Sequence, residues 1–303
     1  VPGQTGVANT TVTMNAASME NSGFEFSATY RNRDHAFKYD ISANLSTLKN
    51  KVTSLGFGTD SYITGAYATY VGQEVGQFYG WVYEGIARTQ DQLDNHATQQ
   101  GANVGDCLYK DISGPDGVPD GVIDTYDQTV LGSGLPKVNF GLSAHMEYKN
   151  FDLSISTYGV LNYHVSDDIY NSLNSCYGPG NKDVAMGDAN RFADDGTYIS
   201  SVPRTYYANN ATLAWNDLFS SRKIQNAAYW KIANVELGYN FPDKWFGGYV
   251  SGVRLYVSAQ NLYTFTGYKG YNVDYAGGTF TPGYNFCSFP TPRTFMCGLH
   301  FTF

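Results

Sequence analysis

The end of the chain constrains its fold more than any other stretch. From Phe295 to Phe303 every second residue is apolar or aromatic: Phe295, Cys297, Leu299, Phe301 and Phe303. The residues between them, Met296, Gly298, His300 and Thr302, are small, polar or flexible. A strand with one face toward lipid and the other toward a wet lumen has this two-residue period. A soluble domain rarely sets its free carboxylate beside a fully apolar strand face.

The same alternation recurs upstream. Phe24, Phe26, Ala28 and Tyr30 alternate with Glu25, Ser27, Thr29 and Arg31. Phe37, Tyr39, Ile41, Ala43 and Leu45 alternate with Lys38, Asp40, Ser42, Asn44 and Ser46. Val138, Phe140, Leu142, Ala144, Met146 and Tyr148 alternate with Asn139, Gly141, Ser143, His145 and Glu147, and Phe151, Leu153, Ile155 and Thr157 follow with Asp152, Ser154, Ser156 and Tyr158 between them. Further strands are expected near 226–240, 250–263 and 292–303, and a weaker pair at 61–71 and 76–87. That gives seven clear strands and up to nine. Their length, about 10–13 residues, suits a tilted membrane crossing better than the roughly 5–6 residues usual in soluble sheets. The expected class is therefore an all-β, antiparallel transmembrane barrel.

Composition agrees. Charged residues make up 15% of the 303, against roughly 25% in soluble domains. The 26 Tyr, 18 Phe, 4 Trp and 33 Gly suit many strands, tight turns and interfacial aromatic girdles. A soluble β-sandwich is also rich in Tyr and Gly and stands as the alternative. No apolar run is long enough for a transmembrane helix. A net charge of −8 argues against a nucleic-acid partner. The opening Val1-Pro2-Gly3-Gln4 is not a signal peptide, so a processed or nicked chain, or a piece of a longer one, is expected.

Short connections at 31–35, 148–151 and 241–249 alternate with long ones at 88–136, 164–224 and 264–290. Barrels of the outer membrane have short periplasmic turns and long extracellular loops, which puts all three long connections outside. With so few strands, the edge at Phe24–Tyr30 would remain open, and open edges are costly in lipid. More strands are therefore expected beyond this chain.

One loop carries recognisable ligand spacing. In Asp116-Gly117-Val118-Pro119-Asp120-Gly121-Val122-Ile123-Asp124-Thr125-Tyr126-Asp127, counting from Asp116, Asp120 takes position 5, Gly121 the turn glycine, the Val122 carbonyl position 7, Asp124 position 9 and Asp127 position 12. This approaches an EF-hand calcium loop. Val118 cannot ligate by side chain, and Asp111 or Ser113 stands near enough to replace it. The alternative is a solvated acidic turn. The expected metal set is Asp111, Asp116, Asp120, Val122, Asp124 and Asp127, binding a Ca2+ that rigidifies the 88–136 loop rather than performing chemistry.

No catalytic constellation emerges, so no enzymatic activity is expected. His35, His96, His145, His164 and His300 are scattered, and Asp167-Asp168 and Asp194-Asp195 read as loop surface. No nucleophile elbow, phosphate loop or dinucleotide fingerprint is present. The cysteines at 107, 176, 287 and 297 lack metal spacing. Cys107 and Cys176 fall in loops where a bridge between them and two free thiols are both open. Cys297 falls on a lipid face, which disfavours a bridge to Cys287. Loop aromatics Tyr170, Tyr177, Tyr206, Tyr207 and Trp215 suit stacking on sugars, contact with a partner, or ordinary packing.

Several segments in order resemble the C-terminal part of the SusC/RagA family of TonB-dependent outer-membrane transporters. They run Asn15-Ala16-Ala17-Ser18-Met19-Glu20-Asn21-Ser22-Gly23-Phe24-Glu25, then Gly76-Gln77-Phe78-Tyr79-Gly80 with Glu84-Gly85-Ile86. Gly105-Asp106, the acidic loop at 111–127, Gly132 and Pro136 follow, and next Tyr229-Trp230-Lys231-Ile232-Ala233-Asn234-Val235-Glu236-Leu237-Gly238-Tyr239. The last are Ser258-Ala259-Gln260-Asn261-Leu262-Tyr263-Thr264-Phe265-Thr266-Gly267-Tyr268 and Thr291-Pro292-Arg293-Thr294.

The resemblance implies that 1–303 is the C-terminal barrel portion of a large (~22-stranded) barrel in the cell outer membrane. It also implies an N-terminal plug and earlier strands outside this chain, TonB engaged through that missing part, and a SusD-like surface lipoprotein as lid. Import of an oligosaccharide or peptide, driven through TonB, is the implied activity. Two other classes remain: a secreted calcium-binding lectin-like β-sandwich, and an outer-membrane enzyme barrel disfavoured by the lack of a nucleophile–base set.

Overall fold

A computed structural model describes residues 17–56, 58–176, 181–205, 215–246, 250, 252–274 and 277–302. Its largest element is a seven-stranded antiparallel sheet: β1 (Glu25–Asn32), β2 (Phe37–Thr47), β3 (Val138–Tyr148), β4 (Phe151–Leu161), β5 (Tyr229–Phe241), β6 (Gly252–Thr266) and β7 (Thr294–Thr302). The strands lie side by side in chain order, the connectivity of an up-and-down barrel wall. These are the seven clear strands of the sequence pattern. In this sheet β1 and β7 are the edges.

The register carries the alternation across the whole sheet. Tyr30, Ile41, Ala144, Ile155, Val235, Ala259 and Phe295 form one continuous row. The next residue on each strand gives a second row of Arg31, Asp40, His145, Ser154, Glu236, Ser258 and Met296. One face is thus apolar and the other mostly polar, as a period of two demands. Bulges where β5 pairs with β4 and β6 shift the register near Thr157 and Asn234.

Aromatic rings gather at both ends of the apolar face. At the short-turn end Tyr30, Tyr39, Phe37 and Tyr148 touch at centroid separations of 5.8, 5.6 and 6.5 Å. Phe151, Tyr239, Phe241 and Trp245 continue at 4.8, 5.0 and 5.9 Å. At the long-loop end Trp230 stacks on Phe265 at 5.2 Å, with Tyr263 at 4.7 Å. Two aromatic girdles flanking an apolar band match the profile of a membrane barrel. Phe26, Leu142, Leu237, Phe295 and Leu299 are all exposed between or beside them.

The polar face is knit by charge. Arg254 bonds both Asp152 and Glu236, the latter at 2.7 Å, and Asn240 donates to Asp152 at 2.9 Å. His145 bridges Ser154 at 2.9 Å and Glu147 at 3.1 Å. The small residues on this face have a steric cause: a Cβ at Gly238 would lie 2.5 Å from the Arg254 guanidinium, and one at Gly298 would lie 2.5 Å from the Tyr256 ring.

The segments at 61–71 and 76–87 differ from expectation. They do not join the seven-stranded sheet. Ser61–Thr64, Tyr67–Tyr70 and Gln77–Gly80 join Thr129–Ser133 in a separate four-stranded sheet. Tyr83–Ile86 pairs with Cys107–Tyr109. Glycines at positive φ, Gly65 at 55°, Gly72 at 89° and Gly76 at 61°, cut the run into four-residue strands too short to cross a bilayer. Likewise Ser18–Ser22 and Lys49–Ser54 extend the β1–β2 hairpin beyond Gly23, where a Cβ would meet the Thr47 carbonyl at 1.9 Å.

The face assignment is testable by charge insertion. Val235→Arg, on the apolar face midway between the Trp230 and Tyr239 girdles, should lower the stability by about 2–4 kcal/mol, while Ser143→Arg on the polar face should cost under about 1 kcal/mol. Urea unfolding of the complete barrel in lipid measures both, and equal costs would contradict the assignment.

Candidate functional site

The polar face of the sheet and the long connections above it form the functional candidate. The acidic loop lies in this layer. Asp127 is fully buried: its Oδ1 accepts from the amides of Ile112 at 2.8 Å and Ser113 at 3.2 Å, and its Oδ2 from Asp124 N at 2.8 Å. Asp124 caps the short 3₁₀ turn Thr125–Asp127 in a reciprocal capping box. Asp111 Oδ2 accepts from Gly121 N at 2.7 Å, and Asp120 Oδ1 from Val122 N at 3.0 Å. Asp116 and Val122 are exposed, while Asp111 Oδ1 is buried without a hydrogen-bond partner.

The loop therefore brings the six sequence-predicted positions into one segment but spends four carboxylates on nearby amides. Among the described residues no three His, Cys, Asp or Glu side chains converge on a metal position. The loop is also tied from outside: Thr98 pairs with Val122 in a parallel bridge, and Trp81 Nε1 donates to the Asp124 carbonyl at 2.8 Å.

A buried ionic hub joins two long connections. Asp106, 3% exposed, accepts from Arg204 Nε at 2.5 Å and Nη2 at 2.8 Å, from Asn216 Nδ2 at 2.7 Å and from Asn103 N at 2.8 Å. Asn216 in turn accepts from Cys107 N at 2.6 Å. Beneath it Cys107, Tyr109, Ile123 and Trp215 form a core. Trp215 is thus an internal packing residue, its indole N–H bonded to the Gln100 carbonyl at 3.1 Å. Local sequence patterns flag Gly105-Asp106 but not Arg204 or Asn216, roughly a hundred residues away. Tyr177, Tyr206 and Tyr207 lie outside the described residues.

The four cysteines are free. Cys107 and Cys176 are buried, and burial pushes their thiols up to about 12 and about 11. Cys287 and Cys297 are exposed.

The last long connection folds back over the polar face. Lys231 on β5, 3% exposed, sits 2.5 Å from Asp274, whose other oxygen accepts from Tyr158 on β4 at 3.2 Å. Nearby, Asp167 accepts from Tyr268 and from Asn285 at 2.9 Å. Val160, Tyr163, Val165, Ala227, Tyr229, Tyr268 and Val273 make the apolar core under this cover. The sequence places Lys231 opposite its partner by no local rule, because the pairing spans loop closure.

No family model matches the chain. Curated relatives do. TonB-dependent receptor P3 of Formosa agariphila is 30% identical over 308 residues, covering 95% of this chain and 29% of the relative. TonB-dependent receptor P26 of the same organism is 30% identical over 321 residues, covering 100% and 31%. TonB-dependent receptor SusC of Bacteroides thetaiotaomicron is 26% identical over 317 residues, covering 97% and 27%. The chain therefore spans under a third of the length of these relatives. Among solved structures, the RagAB peptide transporter matches with a TM-score of 0.77 at 20% identity, over all of this chain and 31% of that one. The RagAB peptide importer in its closed-closed state matches at 0.77 and 21%. These structures establish the fold: a section of an antiparallel barrel wall with its loops.

Removing the hub carboxylate should loosen the loop layer and spare the sheet. Asp106→Ala leaves the Arg204 guanidinium without its carboxylate and removes one of the two hydrogen bonds of Asn216 Nδ2, at a local cost of about 3 kcal/mol. Hydrogen exchange should rise across 88–136 and 198–217 and stay unchanged in β3–β6. Unchanged loop protection would show that the hub is not what holds the layer.

Proposed function

Because the chain belongs to the SusC/RagA family of TonB-dependent receptors, we propose that it supplies wall, loops and docking surface to an outer-membrane nutrient importer. The observation that carries this reading is the two-faced sheet. Its apolar face, bounded by aromatic girdles, suits lipid, and its polar face is covered by a folded connection held through the Lys231–Asp274 pair. Strands from the rest of the receptor close the barrel at β1 and β7, since unpaired backbone groups are not tolerated in hydrocarbon. The short-turn end is periplasmic and the long connections, including 88–136, are extracellular.

In this reading a SusD-like lipoprotein lids the long connections, and nutrient captured between lid and wall enters when the N-terminal plug moves under TonB. An oligosaccharide or a peptide is the nutrient. RagAB, among the matched structures, is a peptide transporter, and SusC is among the matched relatives. Transport rather than catalysis is assigned because the matched relatives are named as receptors and a peptide transporter. Nothing in the sheet favours a soluble lectin-like sandwich: an apolar outer face this extensive would be exposed to water.

Deleting the receptor should abolish growth on the imported nutrient, and the intact receptor should restore it only with functional TonB. TonB-independent uptake would overturn the reading. Lys231→Met should release the cover at 267–293 and raise the leak conductance of the reconstituted receptor severalfold; an unchanged conductance would remove that cover from the transport path.

Calcium belongs to the same proposal. Asp111 with its unpaired Oδ1, the exposed Asp116 and Asp120, and the Val122 carbonyl are the groups available to a hard cation, with Asp124 and Asp127 shaping the loop around them. Chelation should speed protease cleavage within 111–127 and leave barrel unfolding unchanged. Equal cleavage with and without chelator would sink calcium binding.

A further inference from the structure

One row of the polar face carries only hydroxyls and amides. Thr29, Ser42, Ser143, Ser156, Asn234, Gln260 and Thr294 stand opposite one another in turn across all seven strands. Each lies two residues from a member of the row that runs from Arg31 to Met296, on its long-loop side, so both rows share the polar face. The ion pairs of that face fall elsewhere. Arg33–Asp40, Lys38–Glu147 and Arg254 with Asp152 and Glu236 lie on the short-turn side, and Lys231–Asp274 lies under the cover. The neutral row is a belt between these two charged zones.

Thr29 and Ser42 bond each other at 3.0 Å. Ser143, Ser156, Asn234 and Gln260 have no side-chain partner among the described residues and turn to the open side of the polar face. Ser258 supplies an independent observation. It is 6% exposed, and its Oγ is buried without a hydrogen-bond partner. With Asn234, Glu236, Arg254, Gln260 and Met296 it lines an open cleft of about 580 Å³, and the strand pairing puts all six on the polar face. A buried hydroxyl left unpaired costs free energy that a ligand group would recover.

The donor and acceptor inventory decides the ligand. Every hydroxyl and amide of the belt both donates and accepts. The charges that reach the cleft are already spent, because Arg254 serves Asp152 and Glu236 together. A charged peptide terminus or an acidic group would lose hydration here without gaining an opposite charge. A sugar hydroxyl both donates and accepts as well, so it can bond at each station of the belt. Strands about 4.8 Å apart make the row roughly 29 Å long, enough for several sugar units. Repeated contacts of similar, modest strength let a solute bind and still move on. We infer that Asn234, Ser258 and Gln260 form the central station of a wall site for a neutral, hydroxyl-rich oligosaccharide, with Ser143 and Ser156 extending it along the belt.

The inference rests on the importer reading, and its test separates the two. Cells carrying the complete receptor are offered tagged neutral hexasaccharides of several linkages, uronic-acid hexasaccharides and mixed-sequence hexapeptides, with and without functional TonB. The wild type should take up neutral saccharides in preference to both other classes. Asn234→Leu/Gln260→Leu should slow that uptake about tenfold. Ser258→Ala removes a hydroxyl that nothing in the wall uses, so it should slow uptake about threefold and leave barrel unfolding unchanged. Lys149→Gln, in the turn between β3 and β4, should change nothing. Equal amounts of each variant in the outer membrane, read from the heat-dependent mobility of the folded barrel on a gel, separate lost binding from lost folding. TonB-dependent uptake that is unchanged in the double variant would overturn the site. So would an equal loss in Lys149→Gln, preference for peptides or uronic acids, or no uptake of any neutral saccharide. Uptake that persists without TonB contradicts the importer reading itself.

Discussion

Everything in this chain depends on the pairing of backbone polar groups between neighbouring strands. In hydrocarbon no water is present to satisfy an N–H or C=O, so strands survive only as neighbours in a continuous ladder. That requirement fixes the in-order antiparallel arrangement of β1 to β7, with every inner strand bonded on both sides. Once the ladder is fixed, side-chain period follows: residues i and i+2 share a face, and a one-residue slip would drive Arg254 and Asp152 into lipid. The apolar row through Ile155 and Val235 and the polar row through Ser154 and Glu236 are thus two consequences of one constraint.

The polar face poses a second problem, because charges packed side by side on a sheet lose part of their hydration. The chain answers with mutual satisfaction. Arg254 serves two carboxylates, and Asp152 is further bonded by Asn240. Close packing of these groups requires Gly238 and Gly298 beside the guanidinium and the Tyr256 ring. The layer above repeats the solution with Asp106, which takes four hydrogen bonds, one from its neighbour Asn103 and three from the distant Arg204 and Asn216.

These two levels differ in how far the sequence reveals them. The strands, their faces and the short turns were legible because a two-residue period is local and survives without knowledge of the partner strand. Residues 61–87 looked similar, yet the positive-φ glycines Gly65, Gly72 and Gly76 mark breaks that outweigh the alternation. The ligand spacing of the acidic loop was equally legible, but spacing does not say whether an aspartate meets a cation or an amide. Asp127 meets three amides. Arg204, Asn216 and Asp274 carried no local signal, since their roles exist only after distant segments close on one another. Trp215 was visible as a loop aromatic, and only the core around Cys107 and Tyr109 shows it to be internal.

The Lys231–Asp274 pair links the two levels and explains why the cover is folded rather than loose. A lysine almost completely removed from water is costly unless an opposite charge and further hydrogen bonds accompany it. Here Asp274 supplies the charge, and Tyr158 both donates to that carboxylate and lies 5.8 Å beneath the ammonium. Separating the pair would leave a cation buried against the wall, so the connection is held by the penalty of opening as much as by the strength of the contact. The same logic makes the cover releasable. Water that reaches Lys231 would lower the penalty, and the apolar contacts of Val273 and Tyr268 would then oppose opening.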